Sequence, residues 1–132
     1  MTAKIYLKMV VEDGDTVKSI NPNSDKVISV GSLGEGSAET TINVAGSATN
    51  VALTIAPVDG ADILYIETDQ TITIKKQSSS GEVWTIQANR IDSTYDKKGF
   101  LFMTTNGVTS LYFSNAGTDT AHVKIIYYAI TS

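Results

Sequence analysis

The sequence predicts an all-β fold, an antiparallel β-sandwich of about eight to nine strands, with a small barrel as the alternative. Three observations support this prediction. Apolar and polar residues alternate with a period of two, the alternating runs start roughly every ten residues, and Gly, Asn, Asp and Ser separate them. No long stretch has a helical apolar period. The 132 residues suit one domain, a single sandwich over residues 1–132.

The first strand candidate, "KIYLKMVVE", places Ile5, Leu7, Met9 and Val11 on one face. The glycine-rich "GSLGEGS" follows at residues 31–37 and predicts a flexible loop. Residues 1–30 are therefore expected to form an N-terminal arm or an added hairpin. The remaining strand candidates are "ETTINVAG", "NVALTIAP", "DILYIET", "TITIKK", "EVWTIQA", "GFLFMTT", "VTSLYFS" and "HVKIIYYAI".

Two connections carry specific turn signals. Asn106 and Gly107 lie between two apolar runs and give the strongest hairpin signal in the chain. Only Asp69 and Gln70 separate "DILYIET" from "TITIKK", which predicts consecutive strands around a tight corner.

Composition and charge exclude several classes of protein. The chain has no cysteine, so it has neither a disulfide framework nor a thiolate metal site. Its net charge is −4 with the charges scattered, whereas binding to nucleic acid needs a basic stripe. No apolar run approaches the roughly 20 residues that cross a bilayer. "MTAKIYLKMV" lacks the apolar core of a signal peptide, so we expect synthesis in a reducing cytoplasm.

The sequence contains no clear catalytic or metal-binding motif. His122 is the sole histidine; a Ser/His/Asp triad assembled in space stays open, but we expect His122 at the rim of a sheet. Two acidic clusters lack the spacing of a calcium loop and are expected to be solvated turns. Their residues are Glu12, Asp13, Asp15, Asp92 and Asp96. We predict no enzymatic activity, no metal and no cofactor.

The last strands are apolar on both faces, whereas a sandwich strand that is solvated outside should alternate apolar and polar residues. Tyr112 projects opposite Phe113, Tyr128 projects opposite Tyr127, and "GFLFMTT" is apolar throughout its first half. The second face needs cover, which could come from the N-terminal arm, from residues 89–99 or from another copy of the chain.

Aromatic residues are enriched at the centres of protein interfaces. We therefore predict an intersubunit interface on this second face. Its expected residues are Tyr112, Ile126, Tyr128 and Ile130, with Phe100 and Phe102 as second choices.

Four motifs occur in a fixed order within residues 61–130. They are a "D/Q-x-I-T-I-K" strand at residues 69–75, "G-F-L" at 99–101, "V/I-T-S-L-x-x-S-N" at 108–115 and "A-x-V-x-I" at 121–125. In this segment, about half of the chain, the sequence resembles small structural proteins of tailed bacteriophage virions.

The resemblance implies a jelly-roll-like sandwich without catalytic residues, used as a virion building block. Such a chain would be a decoration or cement protein over capsomer junctions, often a trimer, or a neck or tail component. The expected partners are the major capsid protein or other virion proteins and further copies of the chain. The expected location is the virion, after synthesis in the cytoplasm of the bacterial host.

A second function class stays open on the sequence alone. A β-sandwich can present aromatic side chains to sugars, as a carbohydrate-binding or receptor-binding module does. Trp84, Tyr95 and Tyr112 are the candidates for such a platform. An enzyme that uses His122 is the third class.

Overall fold

The computed structural model describes residues 3–7, 9–13, 16–20, 26–30, 32–33, 38–55, 60–88 and 98–131, the first five segments and Thr131 as backbone strands only. The described residues form strands, turns and bends, and every strand pairing is antiparallel. The strands are β1 (Ala3–Leu7), β2 (Met9–Asp13), β3 (Thr16–Ile20), β4 (Lys26–Val30), β5 (Ser32–Leu33), β6 (Ala38–Val44), β7 (Val51–Thr54), β8 (Ala61–Thr68), β9 (Ile72–Lys76), β10 (Val83–Ile86), β11 (Gly99–Val108), β12 (Ser110–Ser114), β13 (Ala121–Tyr128) and β14 (Ile130–Thr131).

Backbone contacts divide the chain into two compact units, residues 34–129 and residues 1–33 together with 130–132. In the second of these, β1 pairs with β4 and β2 pairs with β3. The predicted first strand is two strands, with Lys8 between them outside the described residues. The loop predicted at "GSLGEGS" is wrong for Ser32 and Leu33, because these residues form β5 and pair with β14.

Residues 34–129 form two four-stranded sheets. Their strand orders are β11-β8-β13-β6, called here the β8/β13 sheet, and β10-β9-β12-β7, called the β9/β12 sheet. The chain changes sheets at every connection from β6 to β13 except the one between β9 and β10. This order is the jelly roll, a sandwich of two Greek keys. The predicted antiparallel, jelly-roll-like sandwich is confirmed.

The two sheets enclose an apolar core to which the four central strands contribute alternate residues. These are Leu64, Ile66, Ile72, Ile74, Leu111, Phe113, Val123 and Ile125, each at most 1% exposed. The fully buried polar side chains in the described part are Thr68 and Asn115. Asn115 donates through Nδ2 to the carbonyl oxygens of Val44 at 3.1 Å and Asp119 at 2.7 Å. Among the described side chains, the buried Nε1–H of Trp84, which packs against this core, has no hydrogen-bond partner.

The predicted hairpin at Asn106-Gly107 is wrong. β11 continues to Val108, and the next strand, β12, lies in the other sheet. The pairing of β11 with β8 slips between Thr104 and Val108, which is a β-bulge. Gly107 has φ +64°, and its N–H donates to Asp62 Oδ1 at 3.0 Å. The positive φ that glycine permits is used for a bulge instead of a turn.

The corner predicted at Asp69 and Gln70 is confirmed. It carries the chain from β8 into β9 of the other sheet. The Thr68 hydroxyl donates to the Gln70 carbonyl at 2.7 Å and lies 3.2 Å from the Gln70 N–H, which donates to it. This local hydrogen bonding holds the tight turn and places Asp69 at the rim of the sandwich.

Candidate functional site

One outer surface of the sandwich carries large apolar side chains. Residues that lie opposite each other in neighbouring strands point to the same side of a sheet. On the β8/β13 sheet this register aligns Phe102, Tyr65 and Ile126 in one row and Ile63 with Tyr128 in the next. Phe100 lies in the neighbouring row on the opposite side of Phe102, where it is paired with Glu67. We call these six residues, Ile63, Tyr65, Phe100, Phe102, Ile126 and Tyr128, the aromatic face.

The aromatic face is partly open to solvent. Phe100 is 65% exposed and Phe102 is 43% exposed, while Tyr65, Ile126 and Tyr128 are half-buried and Ile63 is buried. The rings of Phe100 and Tyr65 stack with their centroids 6.3 Å apart and their planes at 26°. Contiguous exposed apolar surface of this kind is typical of interaction sites on soluble proteins.

Charged residues border the aromatic face. Glu67 accepts a hydrogen bond from the Tyr65 hydroxyl at 3.1 Å and pairs with Lys98 at 3.1 Å. Lys124 pairs with Glu39 at 3.4 Å. Burial, together with the hydrogen bond to Glu67, raises the pKa of Tyr65, so its hydroxyl remains a donor. An apolar centre with a polar rim is the usual anatomy of a protein interface.

Four of the six predicted interface residues come together here, namely Phe100, Phe102, Ile126 and Tyr128. Tyr112 does not, because β12 belongs to the other sheet, where Tyr112 lies opposite Lys75 and Ala52 on its outer side. The closing strand breaks at Ala129, and Ile130 belongs to the other compact unit.

Sequence reasoning missed Tyr65 and Ile63 as members of this surface. The signal was present in "DILYIET", where Ile63 and Tyr65 alternate with Leu64 and Ile66. Strand β8 is thus apolar on both faces, like the later strands.

A cleft of about 290 Å³ lies beside the aromatic face, toward the corner between β8 and β9. We call it the rim cleft. All of its lining residues except Val123 are of polar or charged type: Thr41, Asn43, Glu67, Thr68, Asp69, Lys98, His122, Val123 and Lys124. The corner after β8 supplies Asp69, and the start of β13 supplies His122.

His122 and Asp69 form a close pair in the rim cleft. Asp69 Oδ1 accepts the main-chain N–H of His122 at 2.8 Å, and Asp69 Oδ2 lies 2.6 Å from Nδ1 of the His122 ring. Burial alone would raise the pKa of the Asp69 carboxyl, but the hydrogen bonds and charge attraction from His122 outweigh it and lower that pKa.

The expectation that His122 lies at a sheet rim is confirmed, since its side chain is 66% exposed. Within the described residues, no serine or threonine hydroxyl bonds to it. The geometry of a hydrolytic triad is therefore not assembled from these residues.

The three residues expected to form a sugar platform do not share a surface. The Trp84 side chain packs against the core, with Lys76 Nζ 5.4 Å from its ring centroid. Tyr112 lies on the outer side of the same sheet. Tyr95 lies outside the described residues.

Only part of the two acidic clusters lies within the described residues. Asp15, Asp92 and Asp96 lie outside the described residues, and Glu12 and Asp13 are described as backbone of β2 only. In the part of the chain with described side chains, no three carboxylate or imidazole groups are placed to hold one metal ion. The described segments also contain no helix that could cross a bilayer.

No protein-family model matches the chain, and no curated protein sequence matches it. Among solved structures, the backbone is similar to the cupin domain of Cnp3 from Schizosaccharomyces pombe, with a TM-score of 0.41 and 10% identity. The match covers 96% of this chain and 83% of that one. A likeness at this level carries no conclusion about ligand, activity or partner.

Proposed function

We propose that this chain is a non-enzymatic structural protein of a bacteriophage virion, and specifically a capsid decoration protein that stabilises the shell by bridging major capsid subunits. The observation that carries the proposal is the aromatic face, with Phe100 and Phe102 open to solvent. The resemblance of residues 61–130 to small virion proteins supports the choice of partner. The jelly roll itself does not select a function, since it occurs in capsid proteins, lectins and cupins alike.

Burial of the aromatic face would drive the association. A standard interface removes roughly 800 Å² from water on each partner, with aromatic residues at its centre. The aromatic face supplies such a centre, and the pairs Lys98–Glu67 and Lys124–Glu39 supply its rim.

The edge of the sheet offers a second means of attachment. β11 is an outer strand of the β8/β13 sheet, so one row of its backbone groups is not used by β8. An extended segment of a partner can pair with such an edge. Many copies on one lattice then share contacts that are individually weak, because simultaneous engagement multiplies their affinities.

Phe102→Asp tests the proposal, because Phe102 lies in the middle row of the aromatic face and is exposed enough to be replaced without loss of fold. The matched control is Val83→Asp, since Val83 is 52% exposed on the outer side of the other sheet. Heads of the phage that encodes the chain, assembled without it, are mixed with each variant and sedimented. We expect Phe102→Asp to bind at least about tenfold more weakly, and Val83→Asp to bind like wild type.

Circular dichroism of both variants is the check that each is folded. Equal occupancy of the heads by Phe102→Asp and wild type would overturn the role of this face. Equal loss by both variants would show a general effect of added charge, which also contradicts the proposal. The half-buried Tyr128 offers a second variant, Tyr128→Asp, on the same face.

The same face would serve a neck or tail component, which is the rival within the virion class. Electron microscopy of particles carrying labelled protein separates the two. Label over the capsomers supports decoration, whereas label confined to the neck or tail overturns it. Light scattering of the free protein tests whether it is the expected trimer.

A further inference from the structure

We propose that the rim cleft, with the exposed ring of Phe100 beside it, is a binding site for a neutral saccharide. The proposal does not depend on a role in the virion. It uses residues other than those that the sequence suggested for a sugar platform.

The size of the rim cleft suits a small ligand. Its volume is about 290 Å³. Small-molecule sites span roughly 300 to 1,000 Å³, so this cleft lies just below that range and suits only a small ligand.

The charges of the rim cleft favour a neutral ligand. Two carboxylates, Glu67 and Asp69, accompany two ammonium groups, Lys98 and Lys124, in its lining. Lys98 is paired with Glu67, Lys124 with Glu39, and Asp69 with the His122 ring. An ionic ligand would have to compete with an existing pair, whereas hydroxyl groups can add hydrogen bonds to Glu67 and to the exposed amide of Asn43.

The polar groups are held in place before any ligand arrives. Asp69 is fixed by the main-chain and ring nitrogens of His122, and Glu67 by the Tyr65 hydroxyl and Lys98. Asn43 lies directly opposite His122 in the ladder between β6 and β13 and adds an exposed amide. Fixed donors and acceptors reduce the entropy lost on binding.

Phe100 supplies an apolar surface at the side of the rim cleft. It lies directly opposite Glu67 in the ladder, so its ring adjoins the polar lining. The ring is 65% exposed, yet its stacking on Tyr65 holds it in position. An aromatic ring beside a few oriented polar groups matches a pyranose, which has an apolar C–H side and a rim of hydroxyls.

The test is a titration of the ¹⁵N-labelled full chain with D-galactose, D-mannose, D-glucose and N-acetyl-D-glucosamine, each to about 50 mM so that a Kd of a few millimolar saturates. Inorganic phosphate and acetate are the ionic comparators. We expect saturable shifts of the amides of Asn43, Glu67 and His122 with at least one sugar, and none with the anions at equal ionic strength.

Phe100→Ala and Asn43→Ala should each weaken that binding by at least about tenfold. The control is Val83→Ala, an apolar position on the other sheet that is 52% exposed, which should leave the binding unchanged. Unchanged spectra of the cleft residues with all four sugars, saturation by phosphate in place of sugar, or full binding by Phe100→Ala would each overturn the proposal. Phe102→Asp separates the two proposals, because it should weaken attachment to heads by at least about tenfold and leave sugar binding unchanged.

Discussion

The two outer surfaces of the sandwich differ, although both belong to four-stranded antiparallel sheets that share one core. The outer side of the β9/β12 sheet, called here the hydroxyl face, aligns Thr85, Thr73 and Ser114 in one row. Its next row contains Val83, Lys75, Tyr112 and Ala52. The aromatic face carries phenylalanine, tyrosine and isoleucine at the corresponding places.

The difference between the two outer surfaces shows which outer side chains the jelly roll requires in order to fold. Hydroxyl and other polar side chains predominate on the hydroxyl face, as is usual for a sheet that is solvated on one side, and its large apolar or aromatic residues are Val83 and Tyr112. The jelly roll therefore does not require a cluster of large apolar residues outside, and we propose that the cluster on the aromatic face serves a contact. This is why the aromatic face carries the functional argument.

The largest expected effect contrasts the shared core with the aromatic face. Phe113 is 0% exposed between the sheets, and Phe113→Ala should lower the free energy of unfolding by about 3–5 kcal/mol because it leaves a cavity. Phe102→Ala should lower it by less than about 1 kcal/mol, because that ring is partly in water already. Urea denaturation measures both values. Equal losses would mean that Phe102 is buried in the isolated protein.

The next effect concerns the bulge at the end of β11, in the sheet that carries the aromatic face. Gly107→Ala should lower the free energy of unfolding by about 1–2 kcal/mol, because alanine is strained at φ +64°. Thr104→Ala, in the regular part of the same strand, is the control and should cost less than about 0.5 kcal/mol. Thermal unfolding of both variants compares them, and an equal cost would show that the positive φ is not required.

A smaller, pH-dependent effect is expected at the rim cleft. The pKa of Asp69 is lowered in the folded protein, so unfolding takes up protons as the pH falls below the ordinary value of 3.8. The stabilisation by Asp69 is present above pH 3.8 and is lost as the pH falls through the lowered folded pKa. Because the side chain is 37% exposed, solvent screening limits this contribution to less than about 1 kcal/mol.

Asp69→Asn removes that contribution. The variant should be less stable than wild type at neutral pH, and the gap should close in strong acid. Urea denaturation at a series of pH values measures it. A gap that is independent of pH would show that the pair with His122 does not stabilise the fold through its charge.

The smallest expected effect is the change in the free energy of unfolding when one lysine on each face is replaced. Lys124 pairs with Glu39 beside the aromatic face, and Lys75 donates to Asn50 Oδ1 at 3.1 Å and to the Ser79 carbonyl at 3.0 Å on the hydroxyl face. Lys124→Met and Lys75→Met should each change the free energy of unfolding by less than about 0.5 kcal/mol, because exposed ion pairs and hydrogen bonds contribute little. A loss above 1 kcal/mol for Lys124→Met alone would assign a structural role to the border of the aromatic face.

Alternation along each strand could be read from the sequence because side chains in a strand point to opposite sides by geometry. It correctly placed Tyr112 opposite Phe113 and Tyr128 opposite Tyr127. It could not show that β12 and β13 lie in different sheets, so Tyr112 was grouped with residues from which the core separates it. The signal at Asn106-Gly107 was ambiguous because a glycine with positive φ occurs in β-bulges as well as in hairpin turns. The sequence does not show which of the two forms.

The candidate site depended even more on the tertiary structure. Asp69 and His122 are far apart in the chain, and the sequence offered no reason to pair them. Their contact follows from the strand order, which brings the corner after β8 next to the start of β13.

The sequence by itself determined the all-β class, most of the strands and the excess of apolar residues on their outer sides, because these depend on residue type and on the two-residue period of a strand. The tertiary structure alone decided which outer residues share a surface and which polar groups meet at its rim. The physical reason is that strand neighbours in a jelly roll come from distant parts of the chain, and no local pattern encodes their order.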